Sequence, residues 1–217
     1  MPIRNGYSEL ATLMFKNAED EASLKELLRI KYSEDNLVAY LKNDDPLVGR
    51  AAATALGPIG GMHVVPALVA NLKNDDVRTC LNTEIALWEI WSRSGDEAID
   101  AMLNKGKKHL ENEKISEAVE QFTAVIAAAP NFAEGYNQRA IAYFVLEAWE
   151  NALEDCKQTI ELNPHHFGAY AGMGHVYLRL GRIDKAVDAY KQALTINPNL
   201  ISIAESILQL RHEIQEE

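Results

Sequence analysis

Three prolines, Pro130, Pro164 and Pro198, stand 34 residues apart, and other residue types keep step with them. Alanine recurs at Ala118, Ala152 and Ala186. A small residue recurs at Gly106, Ala140 and Gly174, and a bulky one at Met102, Tyr136 and Tyr170, with His109, Tyr143 and Tyr177 alongside. A fixed period of this size is the mark of stacked helical units, each unable to bury its apolar face without a neighbour. The expected fold class is therefore all-α.

One period contains two helices. From Ala133 to Leu146, Tyr136, Ala140, Tyr143 and Phe144 fall at helical spacing, which predicts a helix A. The pattern resumes at Trp149, with Ala152, Leu153, Cys156, Ile160 and Leu162 on one face, and stops at Asn163-Pro164, because proline cannot extend a helix. Ala140 is small where helix A is expected to cross Ala152 of helix B, so the two backbones can approach.

These residues closely resemble the tetratricopeptide repeat family over three units: Ile99–Phe132, Ala133–His166 and Phe167–Leu200. Cys156 departs from the family pattern, standing where Phe122 and Tyr190 put an aromatic ring, and it should leave room for Trp149 or Phe167 to fill. His109 departs too, standing where later units have tyrosine. Ile201–Glu217 carries Ile203, Ile207, Leu210 and Ile214 on one stripe, as expected of a helix capping the last apolar face.

Upstream the rhythm changes. Leu41-Lys42-Asn43-Asp44-Asp45 returns as Leu72-Lys73-Asn74-Asp75-Asp76, an interval of 31 residues. Asp45-Pro46, Arg50, the run Ala51–Gly57, Ile59-Gly60 and Val65–Leu68 resemble short bacterial HEAT-like repeats, including those of the phycobilisome lyase group. Asp45-Pro46 is expected to open a first helix and Pro66 a second. Gly57, Gly60 and Gly61 are expected to end the first helix through positive φ. Ser23–Ile30 and Asn36–Lys42 are expected to form the preceding pair, and Asn5–Asn17, behind Ser8 with Leu10, Leu13, Met14 and Phe15, a covering helix.

The expected organisation is thus a HEAT-like part, residues 1–95, and a tetratricopeptide part, residues 96–217, in one right-handed α-solenoid. A helix near Asp96–Leu103 is expected to serve both parts, and Trp88 and Trp91 to pack their junction. Residues 1–95 hold ten basic and 13 acidic side chains, and residues 96–217 hold 11 and 19, so most of the net charge of −11 lies in the second part. That balance argues against nucleic acid and anionic membranes as partners, since phosphate contacts need a basic footprint. With neither a secretory pattern nor a spanning segment visible, a cytoplasmic protein is expected.

Cys80 and Cys156 fall in apolar stripes of different parts and are expected to be buried and reduced. The six histidines include no pair at i, i+4, and His212-Glu213 alone has the His-Glu order of an iron-binding HEAT enzyme class. His165-His166 reads as a turn. No nucleophile is accompanied by a base in a recognisable motif, and the glycines near Gly60 lack the lysine-serine pair of a phosphate loop. The expectation is a non-enzyme without metal or cofactor.

The family resemblance implies that the A helices line a groove for a peptide. Its free-face residues are Asp100, Leu103, Asn104 and Lys107 in the first unit, Glu134, Asn137, Gln138, Ile141 and Phe144 in the second, and Ala171, Gly172, His175 and Arg179 in the third. Asn137 and Gln138 are expected to hydrogen-bond a peptide backbone, and Ile141 and Phe144 to offer an apolar contact. Some family members grip a chaperone's acidic tail with two lysines, two asparagines and an arginine. Leu103, Lys107, Gln138, Gly168 and Gly172 hold those places here, so a neutral, basic or partly apolar segment is expected instead. The expected function is a scaffold, adaptor or assembly factor, monomeric or weakly self-associating. A bilin lyase-like or antenna-chaperone activity of the HEAT-like part is the alternative.

Overall fold

A computed structural model of the protein describes residues 9–10, 12–14 and 20–216, the side chains of 21 and 211–216 excepted. Ser8 and Phe15, and the side chains of His212, Glu213 and Ile214, lie outside the described residues. The described residues contain helices and turns and no strand. They form two compact units, Met1–Trp91 and Ser92–Glu217, so that residues 92–95, expected with the first part, group with the second.

In the first unit, α1 (Glu21–Lys31) and α2 (Glu34–Tyr40) precede α3 (Pro46–Ile59), α4 (Val65–Asn71) and α5 (Val77–Trp91). The repeated Leu-Lys-Asn-Asp-Asp segment has one physical explanation at both places. Asn43 Oδ1 accepts from the Asp45 amide at 3.0 Å and Asn74 Oδ1 from the Asp76 amide at 2.9 Å. Each second aspartate then caps the following helix: Asp45 Oδ1 accepts from Leu47 N, and Asp76 Oδ2 from Thr79 N. Asp76 also takes a two-pronged salt bridge from Arg50, Nε and Nη2 each at 2.7 Å, tying α3 to the start of α5. Hydrogen bonds from Arg50 and then Thr79 hold its carboxyl far below the ordinary carboxylate value.

Gly57, Gly60 and Gly61 do not act through positive φ. Gly57 lies inside α3, and Gly60 and Gly61 have φ of −67° and −98°. Close approach explains the first two: a Cβ on Gly57 would collide with the Glu89 carboxylate of α5, and one on Gly60 would stand 2.6 Å from the Leu56 carbonyl. Leu56, Leu68, Leu72 and Leu87 fill the core between these helices. Leu10, from the expected covering helix, is fully buried, and Glu9 pairs with Lys31 of α1 at 2.7 Å. Trp91 is buried and meets Trp88 edge to face at 5.3 Å.

The second unit is three helix pairs and a last helix: α6 (Glu97–Glu111) with α7 (Ile115–Ala128), α8 (Ala133–Val145) with α9 (Trp149–Leu162), α10 (Phe167–Arg179) with α11 (Ile183–Ile196), then α12 (Ile201–Glu216). Each helix packs on the next, and α8 also touches both α6 and α10, so the A helices lie side by side.

A small residue on each A helix answers the ring on its partner. A Cβ on Gly106 would run into the Phe122 ring, and one on Gly174 into the Tyr190 ring. In the middle pair, where Cys156 replaces the ring, Ala140 replaces the glycine. Fully burying a ring such as Phe122 contributes about 2 kcal/mol, so glycine at the crossing is retained despite its flexibility. Trp149, a residue expected to fill the space beside Cys156, meets the Phe144 ring edge to face at 5.1 Å. Cys80 and Cys156 are buried and unbridged, and burial pushes the Cys156 thiol up to about 12.

The turn inside each pair is the same turn three times. Glu113 (φ 58°), Glu147 (φ 58°) and Gly181 (φ 67°) occupy one repeat position in the left-handed region. The following amide in each case reaches back over the helix end: Lys114 N to His109 O, Ala148 N to Tyr143 O and Arg182 N to Tyr177 O, at 2.8 to 2.9 Å.

Candidate functional site

Helical periodicity alone does not show which side of an A helix is free, and the structure reassigns several expected groove residues. Leu103 is 1% exposed and packs in the core with Ala118, Phe122, Val125 and Ala142. Glu134 is 1% and Asn137 5% exposed, so neither lies on a free face.

Glu134 instead organises a buried polar cluster. Its carboxylate accepts from Asn137 Nδ2 at 3.2 Å, from Gln138 Nε2 at 2.7 Å and from His166 Nε2 at 3.1 Å. His166 is fully buried and its Nδ1 accepts from the Ala169 amide at 3.0 Å, capping α10. That acceptor role leaves the ring proton on Nε2, where it is donated to Glu134. His166 is therefore more than the turn residue its place after Pro164 suggested, and Asn137 and Gln138 each give an amide proton to Glu134.

Asp100 is likewise engaged, its Oδ1 accepting from both the Ser94 amide and hydroxyl at 2.7 Å. Lys107 reaches Ser92 Oγ at 3.2 Å, and Asn104 is exposed. Gly172 is partly exposed, and a Cβ there would make ordinary contact with Cys156 Sγ at 3.5 Å, so small size is not forced. Ala171 is half-buried against the α10–α12 core.

Three expected residues, Phe144, His175 and Arg179, come together in the C-terminal halves of α8 and α10, and Ile141 lies on the same half of α8. Ile141 is 45% exposed, and the next turn adds Val145 and Leu146. Phe144 meets Trp149 edge to face and His175 at 6.4 Å. Arg179 lays its guanidinium 6.0 Å from the centres of both the Phe144 and Trp149 rings. His175 Nδ1 is 2.7 Å from Tyr190 Oη. Burial pushes the Tyr190 hydroxyl up to about 12, so it keeps its proton. The His175 ring, between Phe144 and Tyr190 with its outer edge exposed, is held below its ordinary value by burial and then by the Arg179 charge. It is a neutral imidazole. Trp149 and Tyr190, on the B helices, escaped the sequence reading because only A helices were expected to supply the face.

A second cation behaves differently. Arg139 lies over Tyr136 and Tyr143 at 5.9 and 5.7 Å, makes two hydrogen bonds of 2.8 Å to the buried Asp155, and reaches Thr123 at 3.1 Å. It clamps α7, α8 and α9 together, and the Asp155 hydrogen bonds raise its pKa. Among the described residues, no three His, Cys, Asp or Glu side chains converge as metal ligands, and no helix is long and apolar enough to cross a membrane.

Paired antiparallel helices repeated along the chain, with their first helices side by side, define an α-helical repeat protein. Residues 133–166 and 168–200 match the tetratricopeptide repeat model, and residues 18–88 match that of HEAT repeats. The chain thus carries tetratricopeptide repeats in its second unit and HEAT repeats in its first. It is 25% identical over 142 residues to a TPR repeat-containing protein of Rhizobium etli, covering 65% of this chain and 69% of that one. It is 27% identical over 150 residues to Hsp70-Hsp90 organizing protein 1 of Glycine max, covering 68% of this chain but only 26% of that longer protein. Among solved structures, the first TPR of Spaghetti (RPAP3) bound to an HSP90 peptide is similar, at 25% identity and a TM-score of 0.52, covering 54% of this chain and 93% of that one.

Proposed function

We propose that the second unit is a non-catalytic protein-interaction module that holds a segment of another protein across the adjacent faces of α8 and α10. The observation that carries this reading is the pair of exposed aliphatic side chains Ile141 and Val145, one turn apart on α8, on the helix that carries Phe144 into contact with the Trp149 and His175 rings. Rings and aliphatic groups at the centre of a face, with polar groups around them, are the usual composition of a binding hot spot. The similar RPAP3 domain is bound to an HSP90 peptide, which supports a peptide or protein as the class of partner. The grip is a different one here, since Leu103 is in the core, Gln138 is bonded to Glu134, and glycine stands at 168 and 172.

Pull-down from native extract with the wild type and with Ile141→Asp tests the reading. Ile141 is exposed, so the substitution leaves the fold intact while placing a charge on this face. Loss of the same partners from the Ile141→Asp sample is the expected result, and equal recovery by both proteins would sink the assignment. Asn137→Ala is unsuitable, because it breaks the buried Glu134 cluster.

A further inference from the structure

We propose that the Arg179 end of this face is a receptor for a single carboxylate of the bound segment, set next to an apolar or aromatic side chain of that segment. The proposal rests on the reading of the second unit as an interaction module and names the chemistry its ligand must carry.

The molecule contains its own completed example of the arrangement. Arg139, within 6 Å of two tyrosine ring centres, has its Nε–Nη2 edge taken by the Asp155 carboxylate and an Nη1 proton by Thr123. Arg179 is held in the same way over Phe144 and Trp149, yet makes no hydrogen bond or salt bridge among the described residues. The two rings beside it narrow the guanidinium's range of positions in advance, so less freedom is lost when a carboxylate arrives. His175, one turn earlier on α10, is engaged with Tyr190 through Nδ1, which leaves its Nε2 as a second polar atom on an exposed residue. Ile141 and Phe144 supply the apolar contact beside these groups.

The surroundings limit the ligand to one carboxylate rather than a run of them. Glu147 and Glu150 are exposed on the adjoining turn and helix start, and residues 96–217 carry a net charge of −8. A strongly acidic tail is repelled, while one carboxylate next to an apolar group matches both halves of the site.

The test is selection from a displayed library of random twelve-residue peptides, using the full chain as wild type, Arg179→Gln, Arg179→Lys and Ile141→Asp. Circular dichroism melts confirm that these exposed substitutions leave the fold intact. Wild-type selection is expected to enrich one Asp or Glu at a fixed spacing from an aliphatic or aromatic residue. Replacing that acid by its amide in a selected peptide should weaken binding about tenfold, as expected for a charge-assisted hydrogen bond. Arg179→Gln should bind the acid and amide peptides equally, and Arg179→Lys should keep part of the difference. Enrichment of acid-free peptides that lose binding to Ile141→Asp overturns the carboxylate receptor and leaves the interaction face standing. Acid preference that survives Arg179→Gln also overturns it. If no peptide is retained, or Ile141→Asp retains the same ones, the interaction face itself fails and the receptor with it.

Discussion

The two units solve the same problem, that of joining antiparallel helices into a stack, with different materials. The first uses helices of uneven length, two of them only seven residues, and registers them with polar caps: Asn43 with Asp45, Asn74 with Asp76, and Arg50 on Asp76. The second uses helices of 13 to 16 residues and registers them with shape, a glycine or alanine under a ring or thiol, and one repeated left-handed turn. The contrast teaches that a sequence period reports a spacing, and that the force maintaining the spacing must be found residue by residue.

The largest test of this contrast is inside the second unit, where shape is not the only device. His166→Ala leaves the Glu134 carboxylate buried without its aromatic partner and uncaps α10, which should cost about 3 kcal/mol. Urea unfolding followed through Trp149, the tryptophan of that unit, would read it. A loss below about 1 kcal/mol would mean that shape alone sets the register. Next, Gly174→Ala should cost about 2 kcal/mol by pressing a methyl into the buried Tyr190 ring. Gly174→Ala with Tyr190→Cys imitates the Ala140–Cys156 pair, and should cost less than the two single losses together. Strict additivity in that double-mutant cycle would break the small-under-large account.

Asp76→Ala should lower the first unit's unfolding midpoint and leave the second unit's unchanged. Because the folded pKa of Asp76 is depressed, its contribution is fully present above the ordinary value of 3.8 and is lost as pH falls from there toward the folded value. Thermal melts of wild type and Asp76→Ala should therefore differ at neutral pH and converge in strong acid. The smallest effect has the opposite sign. Glu147→Gly relieves a left-handed backbone and should stabilise the second unit by up to about 1 kcal/mol, while Gly181→Ala should destabilise it by a similar amount.

The helix pairs were legible because prolines and small residues must recur wherever two backbones cross or a helix stops. Asp45-Pro46 and Pro66 announced their helices for the same local reason. The left-handed turns were not legible, because glutamate fills two of the three positions and nothing in a glutamate signals positive φ. Glycine misled in the other direction: at Gly57 it marks a close approach within a helix, which depends on α5, 32 residues further on. The site was half legible. Ile141, Phe144, His175 and Arg179 reach the surface, as expected from position along the helix, whereas Glu134 and Asn137 are buried. Their burial depends on His166 from the following helix pair, which sequence spacing within one helix does not show.

The Glu134–His166 bond joins the first turn of α8 to the residue that opens α10. Further along, the same two helices meet through the Phe144 and His175 rings, a contact without a hydrogen bond. The pair is thus joined by a buried hydrogen bond at one end and by ring and cation–ring contacts at the other. Register between these helices is therefore set at the His166 end, where the bond has a direction, and the ring end contributes contact without one.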